Sequence, residues 1–397
     1  MRVLRVLTRA NAGGPTRQAL DLWRCDPAVG QQTLVSVGSR GRGEAAMDLS
    51  GLPEIPPEHV DVTSRGVVCL RRLGRDPSPW RHAFAVRELR QLIRRFRPDV
   101  VHTHTSQAGW FGRVAALAER VPVLAHTFHG HVLRDYYPAP LSALLRRVEA
   151  GLARRTTCLF AVSPSCRAEL EQLGVGENRI VVVPPALDLQ RFDAASRPAA
   201  RRALGLGDGV LALGFAGRLV PIKRPEVFAE LLRRHPEARG LVFGSGPSGT
   251  RLPRLPNLEL CGHRPDLGSV LPALDALVVC SKREGMPLVV LEAAAAGVPV
   301  VGFDVPGVRD AVALCGGVSV PEAQGVAGLS RALRELDARR AGLLSRHELV
   351  DHVAPLRVAE LLASAYRSQL APDSAEVPDR VPDVSPAGDP RRAARWS

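Results

Sequence analysis

Ala276-Leu-Val-Val-Cys280-Ser-Lys-Arg-Glu284-Gly-Met-Pro-Leu288-Val-Val-Leu-Glu292-Ala-Ala-Ala-Ala-Gly297-Val-Pro299-Val-Val-Gly302 carries a complete strand–loop–helix–strand unit. Ala276–Cys280 is apolar throughout and bounded by polar residues, which reads as a strand buried on both faces. A helix opens near Pro287, because the first helical turn tolerates a missing N–H. It closes at Gly297, a residue suited to the left-handed cap. Pro299–Gly302 then begins a second buried strand. Strands joined through a helix in this way pair in parallel.

The same alternation extends in both directions. Upstream, strands are predicted at Val3–Leu7, Thr33–Val37, Val100–His102, Val123–His126, Cys158–Val162 and Ile180–Val183, with amphipathic helices at Trp80–Phe96 and Ser142–Ala153. After Pro184-Pro185, a stretch rich in Ala, Arg and Gly up to Gly209 reads as an interdomain connection. A second series follows, with strands at Leu211–Phe215, Gly240–Phe243, Leu258–Leu260, Ala276–Cys280, Pro299–Gly302 and Gly317–Val320. Its helices are predicted at Pro225–Arg234, Pro287–Ala296 and Gly325–Leu336, and a last helix at Pro355–Leu370. The fold class is therefore α/β: two Rossmann-like domains, 1–187 and 188–354, facing a central cleft, with ligands at the carboxyl ends of strands. Residues 371–397 repeat Pro, Asp and Arg without an apolar period and read as a disordered tail.

A chain of 397 residues with 45% hydrophobic and 23% charged content suits a two-domain globular protein. Aromatic content of 4% leaves little material for stacking single-stranded nucleic acid, so a nucleic-acid partner is not expected. Residues 1–185 hold 26 Arg against 16 Asp and Glu, a surplus of 10 out of the net charge of +13. A basic first half suits an anionic membrane or substrate, or is simply a solvated Arg-rich surface. The seven scattered cysteines form no C-x-x-C pair and fit a reducing cytoplasm. No segment reads as a membrane span or signal peptide. The expected place is the cytoplasm, at the inner face of the membrane if the surface docks there.

Chemistry concentrates beyond the strand ends. Glu284 lies in the loop before a helix whose first turn offers free N–H groups to an anion. Glu292 lies in the second turn of a helix otherwise built of Leu, Val and Ala, where an unpartnered charge is costly. Two ribose hydroxyls would partner it; the alternative is an interdomain salt bridge, with Glu284 a surface residue. Gly214-Phe-Ala-Gly217-Arg218-Leu-Val-Pro-Ile-Lys223 places two cations after another strand, suited to a diphosphate, or else forms a solvated basic loop. Lys223 and Lys282 are the only lysines in the chain. The turns at Gly244-Ser-Gly246 and Gly262-His-Arg264 also follow strands. Asn11-Ala-Gly13-Gly14-Pro15 would bring backbone close to a phosphate, or is a tight turn. His102, His104, His126, His129 and His131 cluster at strand ends without Cys or acidic residues to complete a metal site, so no metal is expected.

Together these motifs resemble the family 4 retaining glycosyltransferases of GT-B architecture, over Met1 to about Leu370. The likeness is strongest in Gly217-Arg218…Lys223 and in Glu284-Gly-Met-Pro…Glu292, similar to that family's E-x7-E element. The block Val101-His-Thr-His104-Thr…Gly109…Gly112-Arg113 and His126-Thr-Phe-His129-Gly130-His131 resembles bacterial members that build polysaccharide or lipid-linked oligosaccharide. The resemblance implies transfer of a hexosyl or N-acetylhexosaminyl group from a nucleotide sugar, UDP-linked by expectation, to a glycan or lipid-linked acceptor. The nucleotide sugar is a substrate, and neither cofactor nor metal is implied. By resemblance, Gly14, Arg218 and Lys223 meet the diphosphate, and Glu284 holds sugar hydroxyls with backbone of Gly285, Met286 and Leu288. Glu292 takes the ribose, His129 lies near the reacting carbon, Gly246 lines the donor pocket and Arg264 lies by the base. The helix at Pro355–Leu370 would return to the first domain. Other readings are a non-catalytic GT-B subunit supporting a partner enzyme, or a sugar-nucleotide epimerase. Trp80–Arg97, with Tyr136-Tyr137-Pro138 and the helix after it, is a candidate docking surface for an anionic membrane, or else an ordinary amphipathic helix packing its apolar face on the sheet.

Overall fold

The computed structural model describes residues 1–11, 13–38, 49, 51–74, 79–130, 138–189, 192, 196–339 and 346–371, without the side chains of 79–81, 337–339, 346–348 and 350. The tail expected over 371–397 falls outside this description after Ala371, as do His131, Tyr136, Tyr137 and the side chain of Trp80. The chain divides into two units: Met1–Leu187 with the segment from Val353, and Asp188–His352.

Unit 1 is a seven-stranded parallel sheet of β1 (Arg2–Leu7), β2 (Gln32–Gly38), β3 (Gly66–Leu70), β4 (Val100–His104), β5 (Val123–Phe128), β6 (Cys158–Ala161) and β7 (Ile180–Val182). Their order is β3-β2-β1-β4-β5-β6-β7, with Val3 of β1 facing Thr33 on one side and Val100 on the other. The helices of this unit are α1 (Gly14–Cys25), α2 (Pro79–Phe96), α3 (Ser106–Ala118), α4 (Ala139–Arg154), α5 (Pro164–Gln172) and, from the far end of the chain, α13 (Pro355–Leu370). Val358, Ala359, Leu362 and Tyr366 of α13 pack with Leu22 of α1 against Val3, Val100 and Val123, so the C-terminal helix completes the core of the first unit. On a second face, α2 buries Ala85, Leu89, Leu92, Ile93 and Phe96. For these residues, the apolar stripe of Trp80–Arg97, the packing alternative holds and the membrane one does not, whereas Phe84 of the same helix is 45% exposed. Burying a large apolar side chain is worth about 1.5–3 kcal/mol, and this stripe is spent on the core. Gly109 and Gly112 let α3 lie close to the sheet, since a Cβ on either would stand 2.5 Å from His126 or 2.6 Å from Thr103.

Unit 2 is a six-stranded parallel sheet in the order β10-β9-β8-β11-β12-β13. Its strands are β8 (Leu211–Ala216), β9 (Ala238–Phe243), β10 (Leu258–Gly262), β11 (Ala276–Val279), β12 (Val300–Phe303) and β13 (Val318–Val320). Its helices are α6 (Arg197–Ala203), α7 (Pro225–Arg233), α8 (Leu267–Val270), α9 (Leu288–Ala295), α10 (Val308–Leu314) and α11 (Gly325–Arg339), and α12 (Arg346–Val353) leads back toward unit 1.

Short helices such as α8, α10 and α12 have no counterpart in the sequence reading, and three further differences bear on the fold. β3 is absent from that reading, because Gly66-Val-Val-Cys-Leu70 is a five-residue run without alternation. The stretch read as connection contains α6, which is anchored rather than free. Arg197 donates to Pro272 O and Leu274 O at 3.2 and 2.6 Å, and Arg201 donates to Gly207 O and Val210 O at 2.7 and 2.8 Å. Pro287 is the residue before α9 rather than inside it, with φ −71° and ψ 110°. At the other end, Gly297 (φ 71°) donates to Ala294 O and Val298 to Ala293 O, the paired bonds of a left-handed helix cap.

Candidate active site

In unit 2 the strand order reverses between β8 and β11, the point where open parallel sheets take ligands. The loops leaving these two strands carry Lys223 and Glu284. Lys223 Nζ donates to Glu284 Oε1, in an ion pair whose side chains are only 18% and 15% exposed. The backbone fixes this meeting from several sides. Lys282 N–H donates to Ile222 O at 2.9 Å, tying the loops to each other, and Glu284 N–H donates to Pro306 O at 3.0 Å. Gly307, at φ 75°, lies so close that a Cβ would stand 2.3 Å from Glu284 O. Arg224 completes the brace. Its Nε donates to Cys280 O at 2.6 Å, its Nη2 to Ser281 O at 3.1 Å and its Nη1 to Glu322 at 2.5 Å. Its guanidinium lies 4.9 Å from the centre of the Phe303 ring. Arg224 holds this position at φ 50°, a left-handed conformation that costs a side-chain-bearing residue about 1–2 kcal/mol.

Glu292 is buried on α9, 3% exposed, among Val290, Leu291 and Ala293. Gly285, Met286 and Leu288 run from the Glu284 loop into the first turn of α9, where N–H groups lack partners within the helix. Arg218 is exposed, next to Gly217. Gly246 is exposed at φ 151°, and a Cβ there would stand 2.4 Å from Leu219 O, so this glycine admits the neighbouring loop. Arg264 grips Asp266 through two hydrogen bonds of 2.8 and 2.7 Å, which hold that carboxyl down at about 2.

In unit 1 the order reverses between β1 and β4. Here the loops meet through hydroxyls, Thr8 Oγ1 and Thr105 Oγ1 being 2.6 Å apart. Thr105 has φ 68°. Gly14 opens α1 after Gly13, with no side-chain cap on the first turn. His129 Nε2 lies 3.0 Å from His104 Nδ1, and His104 stacks at 4.1 Å on His102. Behind them, Arg5 donates to Asp26 at 2.9 Å and to His102 Nδ1 at 3.2 Å, while Tyr366 Oη stands 2.6 Å from the same nitrogen. Since guanidinium only donates, Nδ1 of His102 accepts and its Nε2 carries the proton toward Thr127 Oγ1, 2.7 Å away. Burial opposes the charge on Arg5 most strongly, and Asp26 and Tyr366 together outweigh that opposition, so its pKa is raised. The histidines go the other way. Burial, then Arg5, holds His102 well below its ordinary range; burial lowers His104 and His126 similarly and His129 to about 4. At neutral pH the cluster is uncharged. No three His, Cys, Asp or Glu side chains converge to hold a metal ion among the described residues.

The structure thus brings Lys223 and Glu284 into contact within unit 2, with Arg218, Gly285, Met286, Leu288 and Glu292 on the same loops and helix. Gly14 and His129 belong to unit 1. Glycosyltransferase Family 4 matches residues 33–191, and Glycosyl transferases group 1 matches residues 211–339. A D-inositol 3-phosphate glycosyltransferase of Geodermatophilus obscurus is 32% identical over 314 residues, 69% of either chain. The chain belongs to the group 1, family 4 glycosyltransferases. Another relative, the Escherichia coli UDP-Gal:alpha-D-GlcNAc-diphosphoundecaprenol alpha-1,3-galactosyltransferase, is 30% identical over 236 residues, 55% of this chain. The chain spans 61% of the length of that relative. Anabaena HepE, solved in complex with UDP and glucose, shares the fold with a TM-score of 0.72 at 18% identity, covering 93% of this chain and 100% of its own. This glycosyltransferase chain accordingly has the GT-B architecture of two parallel-sheet, Rossmann-like units.

Two residues of this candidate site escaped the sequence reading. Arg224 looks like one more arginine in an Arg-rich chain, and its only local signal is that it precedes Pro225. Gly307 lies in a plain Pro-Gly turn, which does not announce that its partner is the Glu284 loop.

Proposed function

We propose that the chain transfers a hexosyl or N-acetylhexosaminyl group from a UDP-sugar to a glycan or lipid-linked acceptor, with retention of configuration and without a metal. The observation that carries this reading is the Lys223–Glu284 pair at the switch point of unit 2, ahead of the first turn of α9. A diphosphate arriving there meets Lys223, Arg218 and the helix N-terminus, which together neutralise the charge that develops on the leaving nucleotide. Lys223 would then exchange part of its bond to Glu284 for phosphate oxygen, releasing the carboxylate to hold sugar hydroxyls. Glu292 is the ribose residue in this reading, backbone of Gly285, Met286 and Leu288 assists, Gly246 borders the pocket and Arg264 lies by the base. Gly14 and His129, at strand ends of unit 1, are the residues proposed there for diphosphate and sugar. Neutral His129 is suited to hydrogen bonding rather than to a cationic role.

The UDP-Gal donor and alpha-D-GlcNAc-diphosphoundecaprenol acceptor of the Escherichia coli relative support a UDP donor and a lipid-linked acceptor. Among the described residues no helix is long and apolar enough to cross a membrane. Such an acceptor would be met at the inner face of the membrane, from the cytoplasm. The test is a panel of nucleotide sugars assayed for transfer and for slow hydrolysis, with and without EDTA. Transfer at the wild-type rate by Glu284→Ala or Lys223→Ala would sink the assignment. Tight donor binding without turnover to any acceptor would instead favour a non-catalytic supporting subunit.

A further inference from the structure

α4 is packed inside out. Its buried residues are Ser142, Glu149 and Ala153, whereas Leu141, Leu144 and Val148 are 42%, 55% and 43% exposed. These three fall at i, i+3 and i+7, on one stripe of the helix. A helix whose outer face meets only water shows the reverse pattern. The inward polar groups are satisfied: Glu149 accepts from Arg113 Nη2 at 2.6 Å and from Trp110 Nε1 at 2.7 Å. The orientation is therefore anchored by a buried ion pair, and rotating the helix to hide its leucines would strand the charge on Arg113, which is fully buried. Phe84 of α2 and Val114 of α3 are also 45% and 44% exposed, and α3 packs against both α2 and α4.

The charge around the stripe indicates what covers it. Arg147, Arg154 and Arg155 are exposed, and the only acidic residue in 139–155 is Glu149, already paired inside. A second copy of the chain, placed symmetrically on this face, would set those arginines against their own image. An anionic lipid surface complements both features, with acyl chains for the leucines and headgroups for the arginines. We propose that α4 lies in the headgroup region of an anionic bilayer, Leu141, Leu144 and Val148 inserted and Arg147, Arg154 and Arg155 on phospholipid. The proposal rests on the lipid-linked-acceptor reading for its purpose, and on α4 for its existence.

Sedimentation of the full chain with vesicles tests it. Wild type is expected to pellet with phosphatidylglycerol–phosphatidylcholine vesicles, weakly with phosphatidylcholine alone, and less as salt rises. The double variant Leu144→Glu/Val148→Glu should bind roughly tenfold more weakly or worse. Replacing Arg147 and Arg154 by Gln should cost about fivefold for each arginine. All four positions are exposed, so circular dichroism and UDP-sugar hydrolysis in vesicle-free buffer should match wild type. Failure of wild type to pellet, equal binding to both vesicles, or wild-type binding by Leu144→Glu/Val148→Glu overturns the proposal. So does a wild-type dimer in gel filtration that this variant converts to monomer without any vesicle binding. Hydrolysis without vesicle binding counts against α4 alone; vesicle binding without turnover of any nucleotide sugar counts against the transferase reading alone.

Discussion

The two units share one topology at their switch points and fill it with opposite chemistry. Where β1 and β4 part, unit 1 joins its loops through Thr8 and Thr105 and backs them with neutral histidines over a buried Arg5–Asp26 pair. Where β8 and β11 part, unit 2 keeps its ion pair, Lys223 with Glu284, in the loops themselves, partly open to water. The difference shows where each unit can tolerate charge. In unit 1 charge is sealed beneath the sheet end, and its removal is felt as stability. In unit 2 charge is open to an incoming ligand, and under the proposed function its removal is expected to be felt as activity.

That contrast can be broken most forcefully at Asp26. Asp26→Ala strands Arg5 in the interior and should cost unit 1 about 3–5 kcal/mol. Denaturant unfolding followed by tryptophan emission reads it directly, because Trp23, Trp80, Trp110 and Trp396 all lie outside 188–352. Glu284→Ala should do the converse, lowering transfer by about a hundredfold, or about 2.7 kcal/mol, with an almost unchanged Tm. An acid titration sharpens the comparison next. His129 sits at about 4 when folded against an ordinary 6.5, so below 6.5 the unfolded chain takes up a proton that the folded chain refuses. Its contribution is complete above 6.5 and is lost as pH falls toward 4, on the order of 2 kcal/mol by pH 4.5. The same direction holds for His102, His104 and His126, so the tryptophan-reported melt of unit 1 should fall through this window. Gly307→Ala should raise the donor KM about tenfold and destabilise by about 1–2 kcal/mol, since a left-handed φ and contact with Glu284 O both oppose a side chain. The smallest effect is expected at Arg264→Ala, where an exposed pair with Asp266 is worth less than about 1 kcal/mol, leaving Tm within error while donor KM rises a few-fold.

Much of the framework was legible because burial writes itself into short apolar runs. The strand series and the limits of Pro355–Leu370 followed from such runs and from Pro and Gly punctuation. β3 was not, because five residues without a period look like a loop, and α6 was not, because Arg and Ala beside Pro resemble a linker until Arg197 and Arg201 find carbonyls on another segment. At the site, Glu284, Glu292, Arg218 and Lys223 stood out by type and spacing. Arg224 and Gly307 did not, because their importance lies in a φ angle and in contacts between loops far apart in sequence.

The helical periodicity of 139–154 established that one face of α4 is apolar, and composition established that its surroundings are basic. Neither could say which face turns inward. Arg113 decided that, because a buried guanidinium must meet a carboxylate, and meeting Glu149 turns the leucines out. The strand–loop–helix–strand unit from Ala276 to Gly302 shows the same division. Its residues alone dictate a buried parallel pair with a carboxylate before a helix, since strand burial and helix capping are local. Only the tertiary structure sets Glu284 against Lys223, because the two lie 61 positions apart in sequence and meet where the order of strands reverses.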